Sequence, residues 1–289
     1  MQEDISTSMP ASVRLAFWWA AHGIRGRSAV ARALGRRQKQ DRPLFIRTLH
    51  GALLSVDYQN LDTYAPIYND GGCWDANVMS CCTRILRGGD VFYDIGSNTG
   101  LIALDVAKSI PGVKVFAFEP QPSLAKHIRR SIEANHFDQL KLIEALLGSE
   151  EGEATLFLTS HSIHASIIPR EQNYRELRRP LRTLDGLIAT GEIAAPDVIK
   201  IDVEGSELKI FEGAVATLKS SQPSIVFEAD ENMTRMGYSV DDLFAALEKA
   251  ADYSFFLLDQ AGNPMPVARP YPFGNFLALS PRHKDRLHA

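Results

Sequence analysis

Three short stretches place acids and glycines where an apolar run ends. The first is Asp94-Ile-Gly-Ser-Asn-Thr-Gly100, the second ends in Glu119-Pro120, and the third is IKIDVEGSE at residues 199–207. Glycines beside a helix start let backbone N–H groups approach a polar ligand edge closely. A carboxylate about 20 residues further on can accept hydrogen bonds from both ribose hydroxyls, and Glu119 follows Gly96 by 23 residues. The spacing therefore favours a ligand that contains a nucleoside.

The glycine loop does not match a pyrophosphate cradle. A dinucleotide fingerprint needs glycines at its first, third and sixth positions, but counting from Gly96 gives Asn98 and Leu101. Asp94, two residues before the first glycine, would also repel the phosphates of such a ligand. A tight turn without a ligand is the alternative for the loop taken alone, and the presence of Glu119 weakens that alternative.

The third stretch crowds acids at a predicted strand end. Period-two alternation puts Lys200, Asp202 and Glu204 on one side of the strand. Acids grouped in this way are candidates for a functional site. We therefore predict that Asp202 and Glu204 bind a substrate or remove a proton from it. The alternative is structural: a Lys200–Asp202 ion pair, with Glu204 and Glu207 stabilising the start of the following helix.

A polar connection predicted at 159–183 offers a second source of chemistry. It contains His161 and His164, and it could cover the pocket of a substrate. His164 is therefore a third catalytic candidate, although a histidine in such a loop is more often only solvated. Glu228 could line the same cleft or make a structural hydrogen bond. No compact ligand spacing appears, so we predict no metal ion.

The elements that must position these residues alternate along the chain. After a predicted hairpin at 45–56, strands are predicted at 91–95, 113–118, 140–147, 153–158, 197–203, 224–228, 255–258 and 276–279. Helices are predicted at 75–86, 101–109, 123–135, 184–190, 206–220 and 240–250. This order predicts an α/β fold with a mostly parallel, twisted sheet and helices on both faces. Ligands bind such sheets beyond the carboxyl ends of the strands, at the switch point in strand order.

Charge is distributed unevenly along the 289 residues. The net charge is −4, and residues 5–40 contain seven Arg and Lys and no acid, so the remainder carries −11. An acidic body argues against nucleic acid as a partner, because phosphate binding needs a basic footprint. The three cysteines show no disulfide or metal spacing, which favours a reduced, cytoplasmic location.

The first 43 residues are predicted to form a basic N-terminal extension, and residues 44–289 the main domain. The apolar run at 15–21 is shorter than the roughly 20 residues that span a membrane, and no cleavage site follows it. One interpretation is a helical extension that is packed on the body or partly disordered. A second is peripheral contact of residues 12–40 with an anionic membrane surface. An organellar transit peptide is a third.

Five motifs resemble those of the FkbM family of methyltransferases: VFYDIGSNTG, VFAFEPQPS, TLDGL, IKIDVEGSE and IVFE. They occur in that family's order over roughly residues 70–260. The resemblance implies a Rossmann-like class I methyltransferase fold, S-adenosylmethionine as the methyl donor, and O-methylation of a hydroxyl on a sugar, glycolipid or natural product. It assigns the cofactor to Asp94, Ile95, Gly96, Ser97, Asn98, Gly100, Glu119, Pro120 and Ala145. In such a site the Asp94 carboxylate would suit the ammonium group of the cofactor's amino-acid tail.

Two positions depart from the family pattern. Trp74-Asp75 stands where the family often has a Tyr-Glu pair, and Ala145-Leu-Leu-Gly148 lacks the polar residue that often faces adenine. Two alternatives to the O-methyltransferase stay open. One is N- or carboxyl-methylation on the same fold, and the other is a non-catalytic cofactor-binding module. The expected partner is a small-molecule or glycan hydroxyl acceptor.

Overall fold

The computed structural model describes residues 9–21, 30, 33–35, 43–70, 74–158, 165–166 and 174–288. The helices are α1 Ala11–Ala21, α2 Leu61–Asp70, α3 Ala76–Ile85, α4 Leu101–Ser109, α5 Pro122–Asn135, α6 Leu184–Ala189, α7 Glu207–Glu212, α8 Val215–Ser220, α9 Asn232–Arg235 and α10 Val240–Glu248. The strands are β1 Leu44–Arg47, β2 Leu53–Val56, β3 Val91–Ile95, β4 Lys114–Phe118, β5 Leu140–Ile143, β6 Leu146–Leu147, β7 Gly152–Leu158, β8 Ala165–Ser166, β9 Arg175–Arg182, β10 Val198–Ile201, β11 Ser224–Ala229, β12 Ser254–Leu258, β13 Pro264–Pro266 and β14 Gly274–Leu279. Short 3₁₀ helices cover Tyr58–Asn60 and Pro281–His288.

The central sheet has eight strands in the order β13–β12–β14–β11–β10–β3–β4–β5. The five strands from β11 to β5 run parallel, while β14 runs antiparallel to β11. This confirms the predicted mostly parallel α/β sheet. β3 pairs with β4 on one side and with β10 on the other, so the strand order reverses at β3. The switch point, where such sheets bind ligands, therefore lies between β3 and β10.

β3 illustrates why this sheet is covered on both faces. All five of its residues are buried, as expected for an uninterrupted apolar strand in a parallel sheet. Phe92 belongs to one hydrophobic cluster, together with residues of α3 and α4, and Tyr93 belongs to another, together with residues of α6 and α10. Because successive side chains of a strand point to opposite faces, these clusters are two helical layers around one sheet.

A second, four-stranded sheet departs from the sequence prediction. The strand predicted at 140–147 is divided: β5 belongs to the central sheet, whereas β6 joins a separate sheet of order β6–β9–β7–β8. Residues 175–182, predicted to be part of a polar loop, form β9 and pair antiparallel with β7. The loop prediction was wrong there because the strand depends on pairing with a distant segment and not on its own composition.

The helix predicted at 206–220 is also divided. α7 ends at Glu212, Gly213 follows it, and α8 begins at Val215. A Cβ atom at Gly213 would lie 1.9 Å from the carbonyl oxygen of Gly148, so the chain must pass that backbone without a side chain. Close packing against the second sheet thus accompanies the interruption of the helix.

The N-terminal helix packs against the body. Val13 and Phe17 of α1 are fully buried, and the Phe17 ring stacks on Tyr68 of α2 with 4.4 Å between centroids. The first interpretation of the extension therefore holds for α1, while most of its arginines lie outside the described residues. The division at residue 43 stays a prediction. Within the described segments, no helix has the length and apolarity needed to cross a membrane.

Candidate active site at the switch point

A cleft opens at the carboxyl ends of β3, β4 and β10. It contains about 730 Å³ of space between protein atoms, part of it open to solvent. Gly96 follows β3, Glu119 follows β4, and Asp202 follows β10, and all three line the cleft. The parallel sheet thus brings together the three stretches that the sequence analysis identified.

Three residues of the glycine loop have left-handed backbone: Gly96, Asn98 and Gly100. Gly96 has φ +73°, and a Cβ atom there would lie 1.8 Å from the carbonyl oxygen of Asp202. Only glycine permits this contact between the ends of β3 and β10. Asn98 has φ +53°, a conformation that asparagine tolerates better than most residues. The asparagine that interrupts the pyrophosphate fingerprint is therefore suited to the turn.

Glu119 is buried and bonded at both oxygens. Its Oε2 accepts a 2.9 Å hydrogen bond from the Asn98 N–H, and its Oε1 accepts one of 2.8 Å from the Gln121 N–H. Burial raises the pKa of Glu119 to about 8, although these two N–H donors oppose the shift. Each carboxylate oxygen has a second lone pair, so the group can still accept two ribose hydroxyls.

Asp94 and Lys200 form a buried ion pair beneath the loop. Lys200 Nζ lies 3.1 Å from Asp94 Oδ1 and donates a 2.8 Å hydrogen bond to the Gly96 carbonyl oxygen. Asp94 Oδ2 accepts from the Ala103 N–H at 3.1 Å. Burial alone would lower the pKa of Lys200, but Asp94 and Asp202 outweigh it and hold it above its usual range. Asp94 thus holds the loop and the start of α4, and its direct contact with an ammonium group stays a prediction.

The remaining predicted cofactor residues occupy two kinds of position. Ile95, Pro120 and Ala145 line the cleft itself. Ser97 is buried and closes the loop, since its Oγ donates to the Asp94 carbonyl oxygen at 2.6 Å. Gly100 precedes α4 with φ +80°, and a Cβ atom there would approach Ile128. Ser97 and Gly100 therefore support the loop, whereas the first three could touch a ligand.

A second cavity continues the cleft on the side of the N-terminal helices. Gly96, Asn98, Asp202 and Glu204 line both spaces. Its other walls include Thr63 and Pro66 of α2, Trp74, Asp75 and Glu228. Such a space, adjoining the loop but distinct from the Glu119 side, is where an acceptor molecule could lie.

Five carboxylates line this second cavity: Asp75, Asp94, Asp202, Glu204 and Glu228. Burial raises the pKa of Asp202, with Asp75 adding to the shift and Lys200, 3.7 Å away, opposing it. Burial, followed by the charges of Asp202 and Asp230, raises the pKa of Glu228 to about 8. These groups hold protons more firmly than ordinary carboxylates, which suits proton acceptance near neutral pH.

The structural alternative for the third stretch also holds in part. The Lys200–Asp202 ion pair is present, and the Glu207 Oε1 accepts from the Val203 and Gly205 N–H groups at 3.2 and 3.3 Å. Ser206 directly precedes α7 and makes no side-chain cap of it. Glu204 has φ +61° and lines both cavities. Stretch 199–207 therefore serves the fold and the cleft at the same time.

The two histidines of the predicted polar connection are not among the described residues. His161 and His164 lie outside the described residues, so the catalytic role of His164 stays a prediction. In the ranges that the structure describes, no group of three or more His, Cys, Asp or Glu is arranged to hold a metal ion.

Sequence reasoning missed the contribution of α2 and the position of Asp75. Asp75 has φ +54° and directly precedes α3, and the chain fold brings it close enough to Asp202 to raise the pKa of that carboxyl. The only signal in the sequence was the Trp74-Asp75 pair itself. Gln121, which lines the first cavity beside Glu119, was missed as well.

The sheet order, the switch-point cleft and a glycine loop without a pyrophosphate fingerprint define the Rossmann-like fold of the class I methyltransferases. Residues 94–255 match the family model described as the methyltransferase FkbM domain. The chain belongs to this family, and S-adenosylmethionine is its cofactor. The residues present fit that group, because the Glu119 carboxylate keeps lone pairs for ribose hydroxyls and its neighbours leave space beside it.

The chain is also similar to individual methyltransferases. The chain is 29% identical over 136 residues to the hexuronic acid methyltransferase AglP of Haloferax volcanii, covering 45% of this chain and 52% of AglP. It is 29% identical over 157 residues to the 31-O-demethyl-FK506 methyltransferase FkbM of Streptomyces tacrolimicus, covering 44% and 60%. The matches thus span a little over half the length of these two relatives. A solved FkbM methyltransferase from Methylobacillus flagellatus is 18% identical, with a TM-score of 0.49, and the match covers 90% of this chain and 60% of that one.

Proposed function

We propose that this methyltransferase transfers a methyl group to a hydroxyl oxygen of a sugar, a glycolipid or a related natural product. The observation that carries the proposal is the second cavity, where Asp202, Glu204 and Glu228 adjoin the glycine loop. Carboxylates accept hydrogen bonds from hydroxyl groups and can take up the proton that O-methylation releases. The 31-O-demethyl-FK506 methyltransferase is named for methylation of an oxygen, which supports a hydroxyl acceptor, and the hexuronic acid methyltransferase is named for a sugar acid, which supports a sugar as the class of acceptor.

We assign the cofactor to the first cavity and the acceptor molecule to the second. S-adenosylmethionine supplies a methyl group already activated on a sulfonium sulfur. Glu119 accepts its ribose hydroxyls, and the Gly96 loop lies at the boundary between the cofactor side and the acceptor side. The main task of the protein is alignment, which is worth up to roughly 7–11 kcal/mol in favourable intramolecular models.

Asp202 is the proposed proton acceptor. It lines both cavities, so it can reach an acceptor hydroxyl beside the cofactor. Glu204 and Glu228 are proposed to hold further hydroxyl groups of the acceptor. Because this cavity is lined by several carboxylates, we expect a neutral acceptor to react faster than one that carries a carboxylate beside the reacting hydroxyl.

The test is a screen of hydroxylated glycans and metabolites with S-adenosylmethionine, read by mass spectrometry as a gain of one CH₂ unit. Product from a hydroxyl acceptor is expected, and Asp202→Asn should lower turnover by about 10²–10⁴-fold while leaving cofactor binding intact. Asp138→Asn, an exposed acid between α5 and β5, is the matched control. Methylation confined to amines or carboxylates, or full activity of Asp202→Asn, would contradict the proposal.

We also propose that residues 12–40 contact an anionic membrane surface from the cytoplasmic side. α1 leaves Leu15 and Trp18 exposed by 49% and 46%, and residues 5–40 carry seven basic residues. An exposed apolar pair in a segment whose sequence is rich in arginine suits a membrane interface. The double variant Leu15→Ser/Trp18→Ser should sediment less with phosphatidylserine vesicles, whereas Leu49→Ser, exposed by 57% on the hairpin, should not. Equal sedimentation of the wild-type protein and both variants would exclude this contact.

A further inference from the structure

Gln121 presents a buried amide at the wall of the cofactor cleft. The residue is only 4% exposed, and within the described part of the chain its side-chain Oε1 has no hydrogen-bond partner. A buried polar atom without a partner is costly, so each such atom calls for an explanation. A ligand in the adjoining cleft would supply the missing partner.

Hydrogen bonds hold the backbone of Gln121 in place, and one of them is to Glu119, the residue proposed to bind ribose. Its backbone N–H donates to Glu119 Oε1 at 2.8 Å, and its carbonyl oxygen accepts from the Ala125 N–H at 2.9 Å in the first turn of α5. The backbone of Gln121 is therefore held from both directions. Its amide lies close to any nucleoside whose ribose is bound by Glu119.

The same cleft offers a surface for a flat base. Its walls include the apolar side chains of Phe118, Ala145, Leu147 and Leu156. An aromatic base buries well against such side chains but must keep its polar edge paired. Among the described residues of the first cavity, Gln121 provides an uncharged amide for that purpose.

A primary amide and adenine are complementary. The amide oxygen can accept from the exocyclic amino group of adenine while the amide nitrogen donates to a neighbouring ring nitrogen. We propose that the Gln121 side chain binds the amino edge of the adenine of S-adenosylmethionine and selects it against a base with a carbonyl at that position. The proposal rests on the use of S-adenosylmethionine in this cleft.

The test compares two product analogues by calorimetry: S-adenosylhomocysteine and S-inosylhomocysteine, which differ at the amino group. The wild-type protein is expected to bind the adenine compound about tenfold or more tightly, the discrimination typical of a bidentate amide–base pair. Gln121→Met keeps the length of the side chain but removes the amide, so it should weaken binding of the adenine compound and abolish the preference. Gln139→Met, whose side chain bonds the Ala107 carbonyl oxygen instead, is the matched control and should keep the preference.

Each outcome has a distinct meaning. A preference retained by Gln121→Met would overturn the role of Gln121. Equal weakening of both analogues in that variant would also overturn it, because the amide would then contact the ribose or support the loop. If the wild-type protein bound neither analogue, the assignment of the cofactor site would be wrong. This result differs from the first two results, in which the wild-type protein binds the analogues.

Discussion

Lys200 Nζ lies 3.1 Å from Asp94 Oδ1, and both side chains are almost completely buried. The pair joins β3 to β10 at the point where the strand order reverses. Since Lys200 also donates to the Gly96 carbonyl oxygen, it ties the glycine loop to the neighbouring strand end. The shape of the switch-point cleft thus depends on a charge pair in the sheet beneath it.

Lys200→Met should strongly destabilise the fold, because it leaves the Asp94 carboxylate buried without its counter-charge. Removing one partner of a buried pair typically costs about 3–5 kcal/mol. The double variant Asp94→Asn/Lys200→Met should lose less than the sum of the single variants, since neither charge remains. Urea unfolding measures both effects, and strict additivity would show that the pair is not coupled.

Gly96→Ala should impair the protein more than the conformational strain alone predicts. Gly191 has φ +74° with open space around it, so Gly191→Ala reports only the left-handed strain, about 1–2 kcal/mol. At Gly96, with φ +73°, the added methyl group also meets the Asp202 carbonyl oxygen. The loss in unfolding free energy should be roughly twice that of the control or more. Equal losses would mean that the loop shifts without cost.

Cofactor affinity should rise with pH up to about 8. Burial raises the pKa of Glu119 to about 8, so this carboxyl is mostly protonated at pH 6.5 in the free protein. Ribose hydroxyls donate to the ionised form and lower the pKa, so binding releases a proton and strengthens until Glu119 is ionised without the ligand. Titration of S-adenosylhomocysteine between pH 6.5 and 9 measures this, and Glu119→Gln should flatten the curve. An unchanged slope in that variant would assign the proton to another group.

Turnover at saturating cofactor should also rise with pH, for a separate reason. Asp202 must be ionised to accept the hydroxyl proton, and burial and Asp75 raise its pKa. Asp75→Asn removes a negative charge beside Asp202, so the rising limb of the profile should move to lower pH. Asp138→Asn should leave the profile in place. If Asp75→Asn had no effect on the position of that limb, Asp202 would not be the group that limits turnover.

Much of the fold could be predicted because its signals are local. The apolar run of β3 and the helix at 101–109 were predicted with their exact bounds, since a buried parallel strand and a glycine-flanked helix are both evident in composition. The position of Glu119 at the cleft could be predicted for the same reason, because its distance from the glycine loop is fixed by one strand–helix–strand unit.

The rest depends on contacts between distant segments. β9 has the sequence RELRRPLR, whose arginines and proline argue against a strand, and it forms through pairing with β7. Gln121 and Asp75 resemble ordinary polar residues in the sequence. Only the packing of the cleft shows that one is a buried amide and that the other adjoins the proposed proton acceptor.

Calorimetric titration with S-adenosylmethionine tests most directly whether the switch-point cleft is the cofactor site. Wild-type protein should bind one equivalent, Glu119→Ala should lose most of the affinity, and Glu231→Gln, an exposed acid outside the cleft, should bind normally. Absence of binding to the wild-type protein at millimolar cofactor, or binding unchanged in Glu119→Ala, would contradict the assignment.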